Sequence, residues 1–149
     1  MNRRLILDTE TTGLDFDKDR IIEVACLELI DDVFSGEKFH NYYSPENIII
    51  SKQSEEIHGL SNDFLKKYNS FESEIQSFLE FIGNSQLIIH NAQFDLNMIN
   101  NALKRIGKNK IPYEQTLCTL ELSKKKFPGS KNNLNALCRR FGISLEERE

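Results

Sequence analysis

The chain has 149 residues, 39% of them hydrophobic and 28% charged, with a formal net charge of −4. That is the size of one ordinary domain, 1–149, with enough chain to bury a core, and its acidic balance argues against tight, nonspecific duplex binding. No apolar run approaches the roughly 18 residues of a membrane span, and the N-terminal run in MNRRLILD stops at Asp8, short of a signal-peptide core, so a cytoplasmic protein without a membrane partner is expected.

Strand patterns dominate the first 45 residues. Leu5–Leu7 is a short apolar run, IIEVACLELI spans residues 21–30, and KFHNYY spans residues 38–43, with Pro45 closing it. DDVFSGE between the last two reads as a hairpin connection, which predicts a three-strand antiparallel meander. Helical spacing then takes over. Phe71, Ile75, Phe78, Leu79 and Ile82 share a face, with Gly83 as the stop. QLIIHN, residues 86–91, predicts a buried strand leading into a helix whose face is Phe94, Met98, Ile99, Ala102, Leu103 and Ile106, ended by Gly107. A last helix turns Leu134, Leu137, Cys138 and Phe141 inward and ends at Gly142. A meander followed by helix–strand–helix units implies an α/β fold, a mixed sheet flanked by helices. Cys26, Cys118 and Cys138 are widely spaced without a C-x-x-C pair, which favours reduced core thiols over disulfides or zinc.

Asp8 and Glu10 are one residue apart where the first strand leaves the core. Residues i and i+2 of a strand point to the same side, so two like charges meet there. Such a pair is relieved by a shared divalent cation, Mg²⁺ or Mn²⁺, or by solvent at an exposed strand end. Asp95 sits just inside the helix that follows the buried strand. That position suits a ligand group at a strand–helix junction, and equally an acid that complements a helix dipole. Three acids at element ends favour a metal site.

DTETTG at residues 8–13 and HNAQFD at residues 90–95 resemble the first two motifs of the DEDD-type 3′→5′ exonucleases, and within them the epsilon, or proofreading, subunits of bacterial DNA polymerase III. RIIEVACLEL (20–29), EIHGLSNDFL (56–65) and FPGSKNNLNALCRRFGI (127–143) agree in order, so the resemblance covers nearly the whole chain. It implies a ribonuclease H-like fold and a two-ion site for Mg²⁺ or Mn²⁺, with Asp8, Glu10 and Asp95 as metal ligands and catalytic residues. It places Thr11 and Thr12 beside the terminal nucleotide and His58 near it, the latter against the plainer reading of a turn histidine. The implied partners are a single-stranded DNA 3′ end and the polymerase III core subunits. His90 is expected to hold the strand–helix turn, and His40 carries no functional expectation. Lys124–Lys126 and Arg139–Arg140 read as DNA-backbone contacts or, more simply, as solvated helix faces.

The family pattern continues with a third motif, a general-base histidine and, five residues on, a fourth acid. The sequence reaches only ISLEERE, and Glu146, Glu147 and Glu149 do not reproduce that motif. The expectation is a C-terminally incomplete domain, lacking the final helix and one metal ligand. Its activity is then weakened, since a general base is typically worth about 10²–10⁴-fold. Apolar surface left open beside the metal site would favour self-association or a partner. Two other readings stand beside the DNA exonuclease: a catalytically incomplete module that binds single strands or a partner, and an RNA-trimming exonuclease of the same family.

Overall fold

The computed structural model describes residues 1–146, so Glu147 and Glu149 lie outside the described residues. Strand β1, Arg3–Thr11, alternates as a half-buried strand should: Leu5, Leu7, Thr9 and Thr11 point into the core, while Ile6, Asp8 and Glu10 point to the other side of the sheet. β2, Ile21–Ile30, pairs antiparallel with β1, and β3, Val33–Tyr42, pairs antiparallel with β2. β4, Gln86–Ile89, and β5, Thr116–Cys118, add parallel pairs beyond β1, giving the order β3-β2-β1-β4-β5. The mixed sheet with an antiparallel meander is as the sequence predicts.

β3 begins five residues earlier than predicted. The connection from β2 takes only Asp31 and Asp32, both with positive φ (48° and 66°), the backbone of a tight two-residue hairpin. Ser35 and Gly36 made the segment read as a longer turn. They lie instead inside an edge strand whose Val33 and Phe34 are exposed, so no apolar alternation marks it.

Among the described residues six α-helices accompany the sheet: α1, Lys52–His58; α2, Asn62–Leu65; α3, Phe71–Ile82; α4, Ala92–Arg105; α5, Thr119–Lys126; and α6, Leu134–Arg140. α3 and α4 cover the inner face. Phe71, Ile75, Phe78 and Ile82 of α3 and Met98, Ile99, Ala102 and Leu103 of α4 form one core with Leu5, Leu7, Val24, Cys26, Leu87 and Ile89. The three cysteines are buried and free, and burial pushes the Cys26 thiol up to about 12. A smaller cluster, Ile22, Ile50 and Leu65, seats α2 and the residue before the α1 cap against the meander. Helices α1 and α2 escape sequence periodicity because they bury a single residue between them; their ends are set by Ser51 and Ser61 as N-caps.

α5 buries nothing and α6 only Leu137 and Cys138. Leu134 and Phe141, predicted to point inward, are 42% and 56% exposed. With Ile6, Ile88, Leu122 and Ile143 they line a groove of about 510 Å³ on the outer face of the sheet, reaching Asp8 at one side. The apolar surface expected beside the acidic pair is therefore present, and among the described residues no helix follows α6. Also among the described residues, no helix is long and apolar enough to cross a membrane.

Candidate active site

The C-terminal half of β1 carries the acidic pair on the outer side of the sheet. Glu10 lies directly across from Glu23 of β2, and Asp8 across from Ala25. Directly opposed residues approach to about 5 Å between Cβ atoms, so Glu23 is a third carboxylate beside the pair. His40, across from Ala25, sets its Nε2 3.7 Å from Glu23 Oε1. Glu23 was not singled out in the sequence, where it reads as one polar position in an alternating strand. Its register against Glu10 depends on how the β1–β2 loop is folded, and no local pattern states that.

Asp95 reaches the same strand from the inner side. Asn91 adopts the left-handed conformation (φ 69°, ψ 58°) immediately before α4, a geometry asparagine tolerates better than most residues, and this turns the chain from β4 into the helix. The first turn then presents Asp95, only 5% exposed, to β1, where Thr9 Oγ1 donates a hydrogen bond to Asp95 Oδ1. Thr9 stands between Asp8 and Glu10, so all three predicted acids meet at one strand end, two on the outer side and one on the inner.

Two of them sit in surroundings that resist ionisation. Burial, then Asp8, Glu23 and Asp95, push Glu10 up to about 7. Burial pushes Asp95 up to about 7 as well, with Asp8 adding to it and the Thr9 hydrogen bond opposing it. Clustered carboxylates are the hard-oxygen donor set that a divalent cation stabilises, so Asp8, Glu10 and Asp95 suit Mg²⁺ or Mn²⁺ by donor type. They are neighbours rather than a closed ligand shell: among the described residues no three His, Cys, Asp or Glu groups converge at metal-holding geometry.

Thr11, Thr12 and His58 form one connected patch. Thr11 Oγ1 donates to Gly13 O at 2.7 Å, and Thr12 Oγ1 donates to Asp19 Oδ1 at 2.7 Å while accepting from Arg20 N at 3.0 Å. Thr12 is fully buried, so its side chain shapes the β1–β2 loop rather than projecting from it. His58 Nδ1 accepts from Leu60 N at 3.0 Å, which puts the ring proton on Nε2; that group donates to Thr11 O at 3.1 Å. His58 is thus both a turn residue and the neighbour of Thr11.

His90, in the β4–α4 turn, ties that turn to α5 and to the loop that follows α5. Its Nδ1 lies 2.9 Å from Thr119 Oγ1 at the start of α5, and its Nε2 donates to Asn132 O at 3.0 Å. Lys124, Lys125 and Lys126 are exposed in the last turn of α5, where cations complement the helix dipole. Arg140 is tied into the fold: it donates to Lys131 O and Asn132 Oδ1 and its guanidinium stacks 4.3 Å from the Phe127 ring centroid.

Comparison with known proteins places the chain among exonucleases. DNA polymerase III subunit epsilon of Buchnera aphidicola (subsp. Baizongia pistaciae) is 42% identical over 156 residues, an alignment that takes in 99% of this chain and 63% of that protein. The corresponding subunit of Rickettsia conorii is 42% identical over 151 residues, covering 99% of this chain and 65% of that protein. The chain thus spans a little under two thirds of the length of these relatives. Among solved structures, exonuclease X in complex with 5′-overhanging duplex DNA superposes with a TM-score of 0.73 at 26% identity, covering 98% of this chain and 76% of that one. E. coli exonuclease I in complex with a dT13 oligonucleotide superposes with a TM-score of 0.80 at 17% identity, covering 97% of this chain and 36% of that one, a likeness of fold. The fold is that of the ribonuclease H-like exonucleases. The family model described as Exonuclease (RNase T) matches residues 5–148, and the chain belongs to that exonuclease family.

Proposed function

We propose that this chain is a 3′→5′ exonuclease that removes nucleotides from DNA 3′ ends by metal-assisted phosphodiester hydrolysis, of the type that proofreads for DNA polymerase III, and that residues 1–149 act as one exonuclease domain in the cytoplasm. The observation that carries this reading is the Thr9–Asp95 hydrogen bond, which brings the acid of α4 to the strand end that holds Asp8 and Glu10. Mg²⁺ or Mn²⁺ held by these three residues would supply activation of water and neutralisation of charge on the scissile phosphate. Asp8 and Glu10 provide charge on the open side of the sheet, and Asp95 provides it from the buried side. The backbone of Thr11 and Thr12 sets the wall beside the terminal nucleotide, with His58 braced against the carbonyl of Thr11.

Partners follow from the same reading: a single-stranded 3′ end at the site, and polymerase III core subunits for the larger protein that the relatives' name describes. The apolar groove that runs from Asp8 to Phe141 is the surface on which self-association would form. The test is degradation of a 3′-labelled single-stranded DNA oligomer in Mn²⁺, with an Asp8→Ala, Glu10→Ala double variant as control and an RNA oligomer of the same sequence in parallel. Activity lost in the double variant supports the reading, and preference for RNA would transfer it to an RNA-trimming enzyme. Activity equal to the control, with oligomer still bound, would make the chain a binding module.

A further inference from the structure

The β1–β2 loop, residues 12–20, follows directly on the acids and carries the substrate wall of the proposed exonuclease. It is fastened at its far side by α4, the helix whose first turn presents Asp95. Asn101 Nδ2 donates to Phe16 O at 2.9 Å, and one turn later Arg105 Nη2 donates to the same oxygen at 3.0 Å and to Asp17 O at 3.3 Å. Phe16 also packs its ring against Phe94, one residue before Asp95, with centroids 5.7 Å apart. Residues 94, 101 and 105 fall along one stripe of α4, and all three meet Phe16, by its ring at Phe94 and by its carbonyl at Asn101 and Arg105.

Arg105 does more than hold two carbonyls. Its Nη1 donates to Glu72 Oε1 of α3 at 3.0 Å, and Arg20, at the loop's exit, lies 3.8 Å from that same oxygen. Arg20 Nη1 in turn donates to Lys18 O at 2.6 Å. Within the loop Asp19 grips Thr12, and the carboxylate fills the space beside Gly13: a Cβ there would come within 2.4 Å of Asp19 Oδ2. The chain of contacts runs from Arg105 through the loop carbonyls and Asp19 to Thr12, and from Thr12 O to Ser51 N ahead of α1.

We propose that Arg105 is a positioning residue for substrate binding, fixing the β1–β2 loop to α4 so that Thr11 and Thr12 keep their place relative to Asp95. This inference rests on the exonuclease reading for its substrate, and on the loop geometry for its mechanism. The acids themselves are held by the sheet and by Thr9, independently of Arg105. Loss of the arginine therefore removes interactions with bound substrate that are alike in ground and transition states, which raises KM and leaves kcat near its starting value. A guanidinium fork spans Phe16, Asp17 and Glu72 at once, and a lysine ammonium meets only part of that set.

The experiment compares wild-type protein with Arg105→Met, Arg105→Lys and Asn101→Ala, using a single-stranded DNA oligomer in Mn²⁺ and, separately, trypsin cleavage after Lys18 and Arg20 of the native protein. Expected for Arg105→Met are a KM raised about tenfold with kcat within about twofold, and faster tryptic cleavage in the loop. Arg105→Lys should fall between, and Asn101→Ala should shift both readouts in the same direction by less. Unchanged KM and unchanged cleavage overturn the proposal, as does a fall in kcat that tracks the folded fraction at constant KM. If wild-type protein leaves the oligomer intact, the exonuclease reading fails, and the tryptic comparison alone decides whether Arg105 holds the loop.

Discussion

Replacing Asp95 with asparagine removes a charge from a site that is 5% exposed while keeping its shape. The folded-state pKa of Asp95 is raised, from 3.8 to about 7, chiefly by burial. The unfolded chain therefore releases this proton first as pH rises. Below the unfolded value both states are protonated and the group contributes nothing; between about 4 and 7 the folded state holds more protons and stability falls; above 7 the full cost is present. Three units at about 1.4 kcal/mol each set an upper limit near 4 kcal/mol. That shift already contains the opposing Thr9 hydrogen bond, and relaxation around a buried charge brings the gain for the variant at pH 8 to about 2–3 kcal/mol. For a chain of this size that is a melting temperature higher by about 5–10 °C. The assay is thermal unfolding in EDTA at pH 4.5 and pH 8, repeated with Mn²⁺. Asp95→Asn should exceed wild type only slightly at pH 4.5 and clearly at pH 8, and gain less from Mn²⁺, because a ligand stabilises only the state that binds it. A variant no more stable than wild type at pH 8, or one whose advantage is the same at both pH values, would refute the reasoning.

Glu23 contributes to the raised pKa of Glu10, so Glu23→Gln should lower the pH at which Mn²⁺ begins to stabilise the protein, read from melting temperature against pH with and without the ion. Phe78 is fully buried at the centre of the core, and Phe78→Ala should cost about 3–5 kcal/mol in chemical denaturation. Gly13→Ala places a methyl group against the Asp19 carboxylate, and should speed tryptic cleavage at Lys18 while leaving the core's denaturant slope unchanged.

What was legible in the sequence was what repeats. The period of two in β1 and β2 and the helical spacing of α3 and α4 follow from burial on one face, and these four elements build most of the core. The acids were legible because their positions at element ends are local facts and because DTETTG and HNAQFD carry a recognisable pattern. Elements that bury almost nothing were not: α1 and α5 have no buried residues, and the start of β3 is an exposed edge. α6 was legible as a helix but not in its orientation, since the residues at its ends rim an open groove instead of filling a core. Contacts distant in sequence were invisible for a different reason. Glu23 faces Glu10 through strand register, and Arg105 meets Phe16 across 89 residues; neither pairing has a local signature.

The placement of Thr9 ties these observations together. Alternation along β1 forces Thr9 inward while Asp8 and Glu10 point outward, so the buried Asp95 does not approach the acidic pair across open solvent. It approaches through the strand itself, held by a hydroxyl that belongs to the intervening residue. Asp95 and the outer pair lie on opposite sides of the strand end, and their separation is fixed by backbone geometry that repulsion of a few kcal/mol does not deform. The same strand then continues into the loop that α4 straps down by Asn101 and Arg105. α4 is thus joined to β1 twice, by its first turn at the acids and by its last turn at the loop. A displacement of the helix would therefore move Asp95 and the β1–β2 loop together, and the spacing between them is set by a rigid helix rather than by either loop.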